Sequence, residues 1–102
     1  EELAEHRVVR LRSGDVALEL RGRAVLVDDR LVALGPNSLA LLKALVGAAT
    51  VVSRPYLQRC LPDGADDHAL EVAMSRLRQS LGVPGLITTV VKRGYRLNAV
   101  RP

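Results

Sequence analysis

Residues 67–97, DHALEVAMSRLRQSLGVPGLITTVVKRGYRL, change their apolar period part-way along. From Asp67 to Leu81, Leu70, Met74, Leu77 and Leu81 recur at spacings of four, three and four, with Ala73 at the edge of the stripe. That period predicts an amphipathic helix. Its other face carries Val72, Ser75, Arg76 and Gln79, and Arg78 is read with Arg76 as lying opposite the leucines. Gly82 suits a C-terminal cap and Pro84 stops the helix from continuing. Leu86 to Val90 and Tyr95 to Ala99 then read as two strands around Val91-Lys92-Arg93-Gly94, a hairpin with a basic tip.

Charge divides the chain at the same place. Residues 72–102 hold six basic side chains and no acidic one, whereas the other 71 residues hold nine basic and eleven acidic groups. The net charge of +4 and pI near 10.0 hide this asymmetry. A cationic surface confined to one end of a chain faces a polyanion, and nucleic acid is the commonest one.

Upstream, four short apolar runs (Val8 to Leu11, Val16 to Leu20, Ala24 to Val27, Leu31 to Leu34) alternate with Ser13-Gly14-Asp15, Arg21-Gly22-Arg23 and Asp28-Asp29-Arg30. Such runs, broken by Gly and Asp, predict a four-stranded antiparallel meander. Leu39, Leu42, Leu45 and Val46 then mark a helix opened by Gly35-Pro36 and closed near Gly47 to Ala49. Thr50 to Val52 is a brief extended piece, and Ser53 is the expected N-cap of a short helix ending near Cys60. Leu61 to Asp66 forms a loop. The fold class is α+β, one domain over residues 8–100 preceded by a linker over 1–7 from an upstream domain.

A chain of 102 residues, 48% apolar and 25% charged, has the composition of an ordinary folded domain. No apolar run approaches the ~20 residues needed to span a bilayer, so no membrane partner is expected. Cys60, the single cysteine, cannot form an internal disulfide and reads as a buried structural thiol, in keeping with a reducing compartment. No Gly-rich phosphate loop or Ser/His/Asp set is present, and His6 and His68 fall in different regions. Neither catalysis nor a cofactor is expected. His68 beside Asp66 and Asp67 reads as a solvated loop rather than a metal site. With only Tyr56 and Tyr95 aromatic, no stacking platform for RNA is available.

The order of elements resembles the winged-helix effector domain of OmpR/PhoB-type transcriptional regulators over about Val8 to Leu97. Four stretches carry the resemblance: Leu34-Gly35-Pro36-Asn37-Ser38-Leu39-Ala40-Leu41-Leu42; Val51-Val52-Ser53-Arg54 with Leu57; Ser75-Arg76-Leu77-Arg78 with Leu81-Gly82; and Thr88-Thr89-Val90 through Gly94-Tyr95-Arg96-Leu97. It implies a winged helix-turn-helix: four-stranded sheet, three helices and a hairpin wing. It also implies sequence-specific binding of double-stranded DNA, with helix 67–81 in the major groove and wing 86–99 in the minor groove. Val72 and Arg76 match positions that face bases, Ser75 and Arg78 positions that meet phosphate. Gln79, His68, Lys92 and Arg93 complete the implied contact set. An α-helix fits the major groove, and Arg bridges guanine O6 and N7.

Several residues depart from the family pattern. His68 stands where a basic residue usually opens the recognition helix, Ala73 replaces a His or polar residue, and Gln79-Ser80 replaces an Arg-Lys pair. In the wing, Val90-Val91-Lys92-Arg93-Gly94-Tyr95 loses the usual arginine and the first glycine and gains two cations just after. Gly35 and Ser38 replace the Thr and Glu of a capping box, which weakens that helix start by up to about 1 kcal/mol.

Each residue also has a plainer reading. Arg76 and Arg78 can be solvated helix charges, and Lys92 and Arg93 solubilising loop charges. Tyr95 reads as core with its hydroxyl at the rim. Val72 either meets a thymine methyl or packs under the loop. The resemblance implies a bacterial, cytoplasmic protein with an upstream domain: a phosphorylatable receiver, a membrane-spanning segment or a metabolic domain such as uroporphyrinogen-III synthase. It further implies a second copy on tandem sites and RNA polymerase as partners, although the short acidic loop Leu61 to Asp66 does not by itself assign the polymerase contact. The competing function is a non-catalytic regulatory or protein-contact module in which DNA binding is weak or lost.

Overall fold

A computed structural model describes residues 8–48, 50–61 and 65–101; the expected linker over 1–7 and residues 62–64 of the expected loop lie outside them. The described residues form two compact units, one from 8–33 with 99–101 and one within 34–98.

In the first unit, β1 (Val8–Ser13), β2 (Val16–Arg21), β3 (Ala24–Val27) and β4 (Arg30–Val32) pair in sequence order as an antiparallel sheet. Leu11, Leu18, Leu20, Val25 and Val27 are buried. The register sets Leu11 opposite Leu18, Leu18 opposite Val27 and Leu20 opposite Val25, so one face of the sheet is continuously apolar. The β3–β4 loop is the pair Asp28-Asp29, both at positive φ (51° and 66°), which is the mirror-turn geometry that suits a right-twisted hairpin. Asp28 Oδ1 accepts from the Ala17 amide at 2.9 Å, which holds this unusual pair in place. Because that loop places Arg30 opposite Val27, the fourth strand begins at Arg30 and ends at Val32, not at Leu34 as expected. Val100 adds a two-bond bridge to Arg12 (2.7 and 2.9 Å).

The second unit holds α1 (Pro36–Val46), β5 (Val52–Ser53), α2 (Arg54–Cys60), α3 (Asp67–Leu81), β6 (Ile87–Val90) and β7 (Gly94–Leu97). Helix α1 starts at Gly35 with no side-chain cap bond, as the missing capping box leads one to expect. Ser53 caps α2 as predicted, its Oγ accepting from the Tyr56 amide at 3.3 Å. The three helices pack on one another through Leu41, Leu42 and Leu45 of α1, Leu57 of α2, and Leu70, Ala73, Met74, Leu77 and Leu81 of α3, all buried. Cys60 is half-buried rather than buried as expected from its apolar neighbours: it closes α2 beside the exposed Arg59.

The wing is more than a hairpin. β7 lies between β6 and β5 in a three-stranded antiparallel sheet, and Val52 and Ser53 pair with Tyr95 and Gly94. The extended piece expected at Thr50 to Val52 is therefore a strand only at Val52 and Ser53, where β7 offers partners. Strands β6 and β7 are shorter than Leu86–Val90 and Tyr95–Ala99. Asn98 leaves the ladder to bond the Leu86 carbonyl through its amide (2.7 Å), and its side chain reaches the Gly85 carbonyl (2.9 Å) and Thr88 Oγ1. These bonds pin the root of the wing.

Candidate nucleic-acid interface

Helix α3 occupies the predicted residues and is capped at both ends. Asp66 Oδ1 accepts from the Ala69 amide at 2.8 Å, and Gly82, at φ 64°, donates its amide to the Arg78 carbonyl at 3.0 Å. Fifteen residues at 1.5 Å each make a rod of about 22 Å. At 3.6 residues per turn, His68, Val72, Ser75 and Gln79 form one row directly away from the buried stripe, with Arg76 beside it. All five are exposed. Val72 keeps 36% of its surface open. It borders a groove whose other walls include Pro36, Asn37 and Ser38 at the start of α1, with Arg76 and Gln79.

Asp67, Glu71 and Arg78 fall on a different flank of α3, which corrects the placing of Arg78 opposite the leucines. Arg78 is half-buried, and its Nη2 donates to the Ile87 carbonyl at 3.2 Å and to Thr89 Oγ1 at 2.8 Å. Asp67 and Glu71 are engaged by Arg54 from α2, at 3.4 Å (Nε to Asp67 Oδ1) and 3.2 Å (Nη2 to Glu71 Oε2). Arg54 also donates from Nη1 to the Tyr95 hydroxyl at 3.1 Å. Desolvation pulls the Arg54 pKa down, but the hydrogen bond and charge attraction with Tyr95, and then Asp67, outweigh it and hold the guanidinium above its ordinary value.

At the wing, Val91, Lys92 and Arg93 are exposed and Val91 is 79% open. The Arg93 amide donates to the Val90 carbonyl at 2.9 Å, and Lys92 takes φ 64°. That pattern, with the left-handed residue third, is a type II turn, in which glycine is the usual occupant. Lys92 thus holds a position that glycine usually fills in such a turn. Tyr95 is only 4% exposed, with its hydroxyl held by Arg54, as expected of a core residue. Arg96, next along the strand, points out opposite Thr88 and enlarges the cationic hairpin; alternation along β7 is the signal that finds it.

Among the described residues, no group of His, Cys, Asp and Glu could hold a metal ion, and no helix is long and apolar enough to cross a membrane. A family model described as "Transcriptional regulatory protein, C terminal" matches residues 29–97. The chain belongs to this family, the OmpR/PhoB-type effector domains. Among solved structures it is similar to the DNA-binding domain of Klebsiella pneumoniae RstA in complex with RstA box, with 28% identity over 86% of this chain and 95% of that one and a TM-score of 0.65. The DNA-binding domain of E. coli CadC shares 25% identity over 92% of this chain and 97% of that one, with a TM-score of 0.70. Response regulator DrrB, a Thermotoga maritima OmpR/PhoB homolog, is similar in fold at 20% identity, over 79% of this chain and 41% of that one, with a TM-score of 0.68. No curated protein matches the chain in sequence.

Sequence reasoning passed over Arg54 as a site residue. A single arginine after an N-cap carries no periodic signal, and its partners lie 13, 17 and 41 positions away.

Proposed function

We propose that this effector domain binds double-stranded DNA sequence-specifically to regulate transcription, with α3 in the major groove and the β6–β7 turn in the adjoining minor groove. The observation that carries the reading is the uncovered row His68, Val72, Ser75 and Gln79, with Arg76 beside it, on a rod capped at both ends. Arg76 can bridge guanine O6 and N7, Gln79 can pair with adenine N6 and N7, and the Val72 methyls suit a thymine methyl. Ser75 and His68 serve phosphates at the groove edge, and Lys92 and Arg93 serve phosphate or minor groove from the wing tip. Arg78 has hydrogen-bond partners within its own unit and acts there. The domain itself performs no chemistry. A second copy on a tandem site, RNA polymerase, an upstream domain of the same chain and a cytoplasmic setting complete the proposal.

A duplex chosen from a randomised pool, titrated by fluorescence anisotropy across about 50 to 200 mM salt, tests it, because each phosphate contacted adds about −0.9 to the log-log slope. Arg76→Ala is expected to cost about 1 to 3 kcal/mol and to relax one base position, and Lys92→Ala to weaken all sequences alike. If both variants bind as the parent does, or if no duplex is enriched, the domain serves protein contact instead.

A further inference from the structure

We propose that Arg54, Tyr95 and Arg78 form a joint that locks the wing to α3, so that helix and wing meet DNA as one rigid body; the consequence for DNA rests on the function proposed above. The Tyr95 ring belongs to β7, the middle strand of the wing sheet, and two guanidiniums lie over it, Arg54 and Arg78, each 5.6 Å from the centroid. Arg54 ties the ring through its hydroxyl to Asp67 and Glu71, on the first turns of α3. Arg78 ties the last turn of α3 to β6, at Ile87 and Thr89.

Asp67 and Arg78 stand eleven residues apart on the helix, about 16 Å along its axis. The ties thus leave α3 at two well-separated points and converge on paired residues of the wing, Tyr95 and Thr89, so sliding the wing along α3 breaks one set of bonds or the other. β5 supports β7 only at Gly94 and Tyr95, and a short ribbon with so little third-strand support is only marginally stable by itself, so the setting of its tip depends on such ties. The same contacts account for charge. Arg54 sits against both carboxylates of α3, on the flank away from the exposed row, while the Arg78 Nη2 is committed to the wing. Arg54 and Arg78 are positioning residues.

The test uses the full 102-residue chain. Hydrogen exchange without DNA, in Arg54→Met and Arg78→Met, is expected to quicken about tenfold at hairpin amides such as Arg93 while α3 amides change less than about twofold, the worth of one stacked, hydrogen-bonded guanidinium. Tyr95→Phe keeps the ring and loses one hydrogen bond, so its hairpin should fall between parent and Arg54→Met. On the selected duplex, Arg78→Met is expected to bind about tenfold more weakly at every salt concentration with an unchanged slope, because no phosphate contact is removed. A slope smaller by about 0.9 would make Arg78 a direct phosphate ligand and overturn its role in the joint. Hairpin exchange equal to the parent's in both methionine variants would overturn the joint itself. A parent chain that binds no duplex removes the DNA consequence alone, and the exchange measurement still decides whether the joint exists.

Discussion

Gly94→Ala should unfold the wing from within. Gly94 opens β7 at φ 149°, and a Cβ placed there would lie 1.9 Å from the Val52 carbonyl oxygen, 2.8 Å from its carbon and 3.0 Å from Ser53 Cα. These are backbone atoms and cannot swing aside as a side chain would. Restoring ordinary contact requires β5 to retreat by about 1.5 Å, which breaks the pairing of Val52 with Tyr95 and of Ser53 with Gly94. Overpacking of this kind costs about 1 to 3 kcal/mol, and the backbone conformation, which a residue with a Cβ rarely adopts, adds a comparable amount. A total of about 3 kcal/mol corresponds to a melting temperature lower by about 12 to 24 °C for a domain of this size. Thermal unfolding followed by circular dichroism reads this directly. Gly85→Ala is the control: its φ is +78° but nothing lies within 4 Å of the added atom, so it isolates the backbone contribution of about 1 kcal/mol. A Gly94→Ala protein melting within about 3 °C of the parent, or no lower than Gly85→Ala, would refute the close-approach argument.

Two other substitutions probe the ends of the site. Asp66→Ala removes the bond to the Ala69 amide and should cost about 1 kcal/mol, lowering the melting temperature by about 4 to 8 °C; an unchanged transition would mean that the cap contributes nothing. Lys92→Gly relieves a left-handed residue of about 1 to 2 kcal/mol of strain against a smaller entropic loss, so stability should rise slightly. Its DNA salt slope should meanwhile shrink by about 0.9, and a less stable variant with undiminished slope would contradict both halves.

The joint and the turn together account for how this wing departs from its family's pattern. Lys92 keeps the turn's shape in place of glycine, and Val91 leaves an apolar, open tip where the family has arginine. The wing's geometry is set by backbone bonds at its root and by guanidiniums over Tyr95 as well as by the turn itself.

Helix α3 was legible to the residue because its signals are local: leucines at four, three and four, with Gly82 and Pro84 behind them. The meander was legible for the same reason, and its one displaced strand followed from the Asp28-Asp29 turn, whose two-residue length shifts the register toward Arg30. Ser53 announced its own cap, since the amide it accepts from is three residues on. Folding in three dimensions decided the rest. Whether Arg78 faces outward or toward the wing depends on Ile87 and Thr89, which reach it only once the sheet has formed. Arg54 becomes a hub through residues up to 41 positions away, and Gly94 is required by a strand that crosses it from Val52. Periodicity and caps act within a turn or two of the chain and are written in the sequence, whereas the partner of a long cation and the clearance around a Cα depend on which distant segments the fold brings together.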